Sequence, residues 1–455
     1  MTDGKSIAID FSIKRTAKEL DFRSPIEDNL EKPYFPGAFD VTNSSNHGFY
    51  FLNVTQFLGA ANDNIPKQVF SFGLAAGGIW GNQLGEGGQA WASLCLAIPF
   101  VLLSGFAGQF SDKFSKRHVS IFSKWSEILI ALIAMLGLWI GNVWLVLAAL
   151  VIIAVQSTFF SPAKFGILPE IMPTEKLSRA NGTINMFTYV AIILGSAVGG
   201  PLYDIYAPED PSTAIRWLPG IVIIVIGVLG TLASYGIPRL SAQNPDLKIS
   251  YQIFESYIST WKALSGTTLK SVILVWSFFY LVVAGIAILI IADYKELLDI
   301  SATKTALLMA LLGISTGIGD YVAGRISGHR VRPALIPLGA IGTTIPFLLL
   351  GLIPNSFIAV TALLAAGGFM AGFVMVPLQT MVQQLAGEEK RGQILGLWNC
   401  LSFVGIIFGN FLFIGLKQIG VQSNRIFIVC AVLTALLLIA YQFRLKDQFT
   451  KAVRD

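Results

Sequence analysis

Asn62-Asp63-Asn64-Ile65-Pro66-Lys67 puts an acid, a base and two amides into six residues of an otherwise apolar stretch. An ionised side chain near mid-bilayer costs about 2.5–3.5 kcal/mol on insertion scales, so two of them need a reason. Asp63 and Lys67 are i,i+4 and share one helical face, where each offsets part of the other's cost. Pro66 has no N–H and leaves the carbonyl of Asn62 without its helical partner. The expectation is a helix broken at mid-depth. There Asp63, Asn64 and Lys67 contact a polar or charged ligand. A purely structural ion pair is the plainer alternative.

Lys124 and Glu127 form a second buried set, i,i+3 on one face. They lie about 8–12 Å inside a helix at 1.5 Å per residue. Lys124 alone could snorkel to the headgroups, which Glu127 cannot do as easily. Both are candidate ligand contacts. A third constellation is the run Gly105-Phe-Ala-Gly-Gln-Phe-Ser-Asp-Lys-Phe-Ser-Lys-Arg117, wedged between two apolar stretches. Asp112 there can meet the positive N-terminal end of a neighbouring helix, and the start of the segment at Gly392-Gln393 is the candidate. Gly108, Asp112, Lys113 and Arg117 are read as gating residues.

Enzymatic chemistry finds no support. A membrane acyltransferase needs His-x-x-x-x-Asp, but Leu52, Ser123 and Ala334 follow His47, His118 and His329 at that spacing. No Gly-x-x-x-x-Gly-Lys-Ser/Thr phosphate loop is present, which argues against an ATP-driven pump. Cys95, Cys400 and Cys430 sit in apolar runs with no metal-ligand or disulfide spacing and read as packing residues. No cofactor and no nucleic acid are expected, since the +5 net charge follows topology.

The elements that position these residues are membrane helices. The chain is 54% hydrophobic and 13% charged over 455 residues, against about 25% charged in a soluble domain. Spans of ~20 apolar residues are read near 49–78, 89–110, 119–140, 142–160, 178–203, 214–236, 270–292, 304–325, 334–353, 356–377, 393–416 and 424–443. The fold class is all-α integral membrane, with twelve transmembrane helices in two six-helix bundles. Residues 1–47 are a polar N-terminal tail without the apolar core of a signal peptide, and 48–236 the first bundle. Residues 237–269 are a central loop, 270–443 the second bundle and 444–455 a tail. The N-terminal tail, even-numbered loops and C-terminal tail hold 24 of the 32 Lys and Arg. The positive-inside rule then puts both termini in the cytoplasm. Asp320 and Arg325 read as a structural pair near the cytoplasmic end of their span.

The Gly108-x-x-x-Asp112-Lys113 turn with Lys116-Arg117 resembles the loop between spans two and three of the major facilitator superfamily. Ser115 replaces that loop's second Gly. Residues Ser161-Pro-Ala-Lys-Phe-Gly-Ile-Leu168 look more narrowly like the bacterial lysophospholipid transporter family. Gln56-Phe-Leu-Gly-Ala60 leading to Asp63-Asn64, Asn181-Gly182, Ile193-Leu-Gly-Ser196 and Val376-Pro-Leu378 match as well. The resemblance implies a secondary transporter moving lysophospholipids, of the lysophosphatidylethanolamine kind, across the bacterial cytoplasmic (inner) membrane by alternating access. It implies a cavity lined by spans one, four, seven and ten. Within it Asp63, Lys124 and Asn181 join the binding set. It also implies, as partner, a cytoplasmic acyltransferase/acyl-carrier-protein synthetase. One departure stands out. Family members that move lysophospholipids carry an Arg in span seven, and Ala284-Gly-Ile-Ala-Ile288 has none. Lys67 is the expected substitute charge. A proton- or sodium-coupled carrier of another amphiphile or small solute, coupled through Asp63, is the alternative reading.

Overall fold

Long apolar runs in lipid must satisfy their backbone groups internally, and the helix is the local way to do it. The structure, a computed structural model, describes residues 41–74, 79–80, 88–353 and 356–454. The tail over 1–40, including Pro33-Tyr34-Phe35-Pro36, lies outside the described residues, as does the Cys95 side chain. The first helices are α1 (Val41–Leu74), α2 (Gly88–Lys113), α3 (Lys116–Ile140), α4 (Val143–Ile171), α5 (Thr174–Tyr206) and α6 (Leu218–Ser234). After α7 (Glu255–Ala263), α8 (Thr268–Tyr280) continues through a π-helical turn, Leu281–Ala287, into α9 (Ile288–Leu297). Then come α10 (Ala302–Ser327), α11 (Leu335–Leu352), α12 (Phe357–Leu385), α13 (Arg391–Gln418), α14 (Ser423–Ala440) and α15 (Lys446–Arg454). Side-chain caps fix several starts: Asn142 accepts from Leu145 N at 3.1 Å and Ser356 from Ala359 N at 3.2 Å.

Among the described residues, ten helices are long and apolar enough to cross a membrane. The 34-residue α1 and 26-residue α2 are not among the ten. For α1 the cause is composition: Asn53, Gln56, Asn62, Asp63, Asn64, Lys67 and Gln68 dilute its apolar residues. Within the central segment 237–269 a short helix, α7, forms, and the C-terminal tail is helical as α15. One expectation is corrected here: α1 is not broken at Pro66 but stays helical through Leu74.

Apolar packing follows chain order. One cluster joins Ile65, Val69 and Phe70 of α1 to Ile130, Leu150, Leu202 and Ile223. Another joins Val282, Ile286 and Ile290 to Phe347, Leu364, Phe427 and Cys430. A third builds on Val272, Trp276, Val374, Leu378 and Trp398. Contacts between early and late helices mix apolar packing, such as the Phe100–Phe403 stack at 4.2 Å between ring centroids and Phe165 against Trp398 at 5.2 Å, with polar bonds. The α5–α10 and α2–α13 pairs run side by side, and polar groups bridge these and neighbouring helices. Asn399 Nδ2 donates to Ser161 Oγ at 3.0 Å, Gln383 Nε2 to the Phe165 carbonyl at 3.1 Å, and Asn185 Nδ2 to Gln379 Oε1 at 2.9 Å. A seam held by hydrogen bonds can exchange them for water when it opens, which an apolar core cannot do without cost.

The α7 segment is laced to α2. Tyr257 Oη accepts from Gly105 N at 2.8 Å and donates to the Val101 carbonyl at 2.9 Å. Those two backbone groups lie one helical turn apart, where they would ordinarily pair with each other. Gln109 Oε1 accepts from Ser250 N at 2.8 Å, and Asn244 N donates to the Asp112 carbonyl at 2.9 Å. Burial pushes the Tyr257 phenol above its ordinary pKa.

Candidate functional site

The polar face of α1 recurs at i, i+3, i+4, i+7 and i+8, through Gln56, Gly59, Ala60, Asp63 and Asn64. It faces a cavity of about 200 Å³. The opposite wall comes from α4 through Gln156, Ser157, Phe160, Ser161 and Lys164. Lys124 and Glu127 of α3, Phe100 of α2 and Ile192 of α5 complete it. Of the expected lining by spans one, four, seven and ten, spans one and four are present as α1 and α4; the other lining residues come from α2, α3 and α5 rather than from spans seven and ten. The α4 helix continues past Pro162 and carries Lys164 to the cavity.

Within this cavity one acid and one base are already spent on each other. Lys124 Nζ lies 2.5 Å from Glu127 Oε2, with side chains 1% and 4% exposed. Asn62 Nδ2 donates to the other Glu127 oxygen at 2.6 Å. Lys124 does not snorkel; it stays buried beside the Phe160 ring, 5.3 Å from its centroid. Gly59 makes this possible, since a Cβ there would collide with the Lys124 ammonium. What remains is a free acid and a free base. Asp63 Oδ2 accepts from Ser157 Oγ at 2.9 Å, and Lys164 Nζ lies 4.2 Å from the Phe165 ring centroid. Neither forms an ion pair among the described residues.

The i,i+4 pairing of Asp63 with Lys67 is not formed, a second correction. Ser157, from another helix, captures the Asp63 carboxylate, while Lys67 sits one turn on and is exposed. Asn64 lines the cavity but turns its amide back to the Ala60 carbonyl at 2.7 Å. Asn181 is not in the cavity. It is fully buried against α12, donating to Thr380 Oγ1 at 3.0 Å and Gln383 Oε1 at 2.6 Å and accepting from Gln379 Nε2 at 2.9 Å. Three amide and hydroxyl partners at one point make Asn181 a seam residue. Lys164 and Ser157 were missed as site residues. Their signal was the α-helical spacing of Ser157, Ser161 and Lys164, hidden by ending the span at residue 160.

The turn between α2 and α3 is organised by Asp112, which is fully buried. Its carboxylate accepts from Gly392 N at 2.5 Å and Gln393 N at 2.9 Å, the first free amides of α13. The expected meeting with Gly392-Gln393 is present. Gly108 lets the backbones close, since a Cβ there would strike the Gly392 carbonyl. Arg117 acts elsewhere: its Nε donates to the Ile237 carbonyl at 2.7 Å and its guanidinium to Tyr235 O at 3.1 Å, tying α3 to the end of α6. Lys113 makes no ion pair among the described residues. The buried ion pair belongs to Lys116 and Glu170, at 2.6 Å. Asp320 and Arg325 do not pair either; Arg325 turns to the Tyr321 hydroxyl at 2.5 Å. The span-seven region without Arg forms the π turn, Leu281–Ala287, a distortion frequent at functional sites.

Comparison with known proteins places this geometry. A sequence model of the Major Facilitator Superfamily matches residues 55–410 and 277–452. The Lysophospholipid transporter LplT of Serratia proteamaculans (strain 568) is 29% identical over 317 residues, covering 67% of this chain and 73% of that protein. LplT of Shigella boydii serotype 4 (strain Sb227) is 27% identical over 368 residues, covering 77% and 84%. In structure, the human organic anion transporter MFSD10 (TETRAN) superposes with a TM-score of 0.70 at 13% identity, covering 88% of this chain and 99% of that one. FucP in the outward conformation gives 0.70 at 14% identity, with the same coverage. With more than half its length matched, an all-helical fold and structural neighbours that are transporters of this type, the chain belongs to the Major Facilitator Superfamily and is similar to the LplT lysophospholipid transporters.

Proposed function

We propose that this protein is a secondary transporter moving lysophospholipids, of the lysophosphatidylethanolamine kind, across the bacterial inner membrane by alternating access. One observation carries the reading: an acid, Asp63, and a base, Lys164, face one cavity without being paired to each other. A zwitterionic headgroup fits that arrangement, its ammonium at Asp63 and its phosphate at Lys164. The similarity to LplT points to the same substrate class. The cavity of about 200 Å³ holds a headgroup but is small for a whole amphiphile. The acyl chain therefore extends beyond it toward apolar surroundings. Lys124, Glu127 and Asn62 brace the wall, and Asn64 lines the cavity; Lys67 is not among the lining residues.

On this reading α1 and α2 complete twelve spans, in two six-helix halves over 48–236 and 270–443. Both termini and the α2–α3 turn are cytoplasmic, consistent with the Lys and Arg distribution. Asp112, Gly108 and the Asn181 cluster close the cytoplasmic end. Release there delivers substrate to a cytoplasmic acyltransferase/acyl-carrier-protein synthetase.

The test is photo-crosslinking in proteoliposomes with lysophosphatidylethanolamine carrying a photoreactive group on its headgroup. Labelled peptides from α1 and α4 around Asp63 and Ser157–Lys164, competed by unlabelled lysolipid, are expected. Labelling confined to lipid-facing helix surfaces contradicts the assignment.

A further inference from the structure

Asp320 is fully buried on α10, and neither of its carboxyl oxygens has a hydrogen-bond partner. It lies about two turns inside the α10 end that leads to the basic Arg330 and Arg332. Two helices press on it. Gly182 of α5 brings backbone against the Asp320 carbonyl, and Gly372 of α12 brings backbone against the Asp320 amide and side chain. The Asn185 amide of α5 approaches the carboxyl without completing a hydrogen bond, one of its two N–H groups going instead to Gln379 Oε1.

The charged and titratable groups around it are few. Tyr189 on α5 and Tyr280 on α8 are near enough to interact with the carboxyl. On α10 itself, Arg325 and Tyr321 are bonded to one another. The α12 helix contains no titratable residue. No ion pair reaches Asp320 among the described residues. A carboxylate in that setting has lost its water and gained nothing in return, whereas a neutral carboxylic acid is tolerated. A metal cation needs several oxygen ligands. Glycine backbones fill the space where they would stand, and no cluster of three acidic, His or Cys ligands occurs among the described residues.

We propose that Asp320 is a proton-binding site built into the α5–α10 seam, occupied while the seam is closed and emptied when it opens. The proposal rests on the alternating-access reading but not on the identity of the substrate. Opening separates α5 from α10 and lets water reach the carboxyl. The O–H bond then breaks, the proton passes to that water and the carboxylate stays hydrated. Closing reverses the step, with a proton taken from the same aqueous side. The closed state thus holds one proton more than the open state. Acid favours closure, and rising pH favours opening.

The test needs no lysophospholipid. Spin labels at Lys176→Cys and His329→Cys, on a background with the three native cysteines changed to serine, report the seam by pulsed dipolar spectroscopy in lipid nanodiscs. The closed-to-open ratio should fall by up to about tenfold per pH unit as one proton is released. Asp320→Asn, which mimics the protonated form, should lose the slope and stay closed. Asp320→Glu should restore it. Where the Asn variant does not fold, Asp320→Ser serves, since it too removes the titrating group and must flatten the slope. Replacing sodium by choline at fixed pH should leave the distances unmoved. A pH-independent seam in the wild-type protein, a slope retained without the carboxyl, or closure driven by sodium overturns the proposal. A failure of lysophospholipid crosslinking leaves these outcomes untouched.

Discussion

Glu127→Gln isolates the cost of the buried charge pair beside the cavity. In the wild-type protein Lys124 and Glu127 are 2.5 Å apart and 1% and 4% exposed, so solvent screens neither. Gln keeps an oxygen for Asn62, which donates to Glu127 at 2.6 Å, and so removes charge while sparing that hydrogen bond. The ammonium of Lys124 is then buried without a counter-charge, which costs about 3–5 kcal/mol. Lys124→Met strands the carboxylate and costs a similar amount. The double variant Lys124→Met/Glu127→Gln removes both charges and should return to within about 1 kcal/mol of wild type, because the pair's mutual attraction and its desolvation nearly offset. Cys400 and Cys430 are buried free thiols, so a thiol-reactive dye reports unfolding on heating. Both single variants should melt well below wild type and the double variant close to it. A Glu127→Gln protein that melts with wild type, or a double variant less stable than either single, refutes this reasoning.

Asp112→Asn should lose one charge-assisted bond and the favourable charge at the α13 start, about 2–4 kcal/mol against the closed state. Reduced turnover with unchanged substrate affinity is the expected readout. Gly59→Ala should displace the Lys124 ammonium and melt early, while Ala60→Ser on the same face should not; equal melting points contradict the close approach. Tyr257→Phe should cost about 1–3 kcal/mol by leaving Gly105 N and the Val101 carbonyl without their hydroxyl. Burial raises the Tyr257 pKa, so its contribution is complete below the ordinary tyrosine value and is lost only as pH rises through the folded one. The melting difference between wild type and Tyr257→Phe should therefore be constant from about pH 6 to about pH 9; a difference that fades in that window contradicts it.

Hydropathy made most of the helices legible, because a span must be long and apolar whatever it packs against. The Asp112 contact was legible for an equally local reason: an acid at a helix–turn junction seeks free amides, and Gly392-Gln393 begins a helix across a short loop. The Asp63–Lys67 pairing failed because i,i+4 spacing fixes which stripe two side chains share, not which way they lean. Ser157 arrives from another helix, and no spacing within α1 reports it. Lys164 was lost to a boundary error. The span reads as ending at residue 160, yet α4 continues through Pro162 and Pro169 to Ile171. Asn181 sits near the start of a span in either reading; only tertiary packing turns it to Thr380 and Gln383 rather than to the cavity. The helical content of 237–269 escaped because α7 is too short and too polar to register as a span.

The central claim is that Asp63 and Lys164 receive the two ends of a zwitterionic lysolipid headgroup. The initial rate of radiolabelled lysophosphatidylethanolamine uptake into proteoliposomes tests it most directly. Wild-type protein should give a saturable rate above that of protein-free liposomes, and Asp63→Asn/Lys164→Gln should lower it by about a hundredfold or more, since each of the two contacts contributes upward of ~1.4 kcal/mol, a factor of about ten apiece. A wild-type rate no greater than that of protein-free liposomes, or a double variant as fast as wild type, contradicts the account.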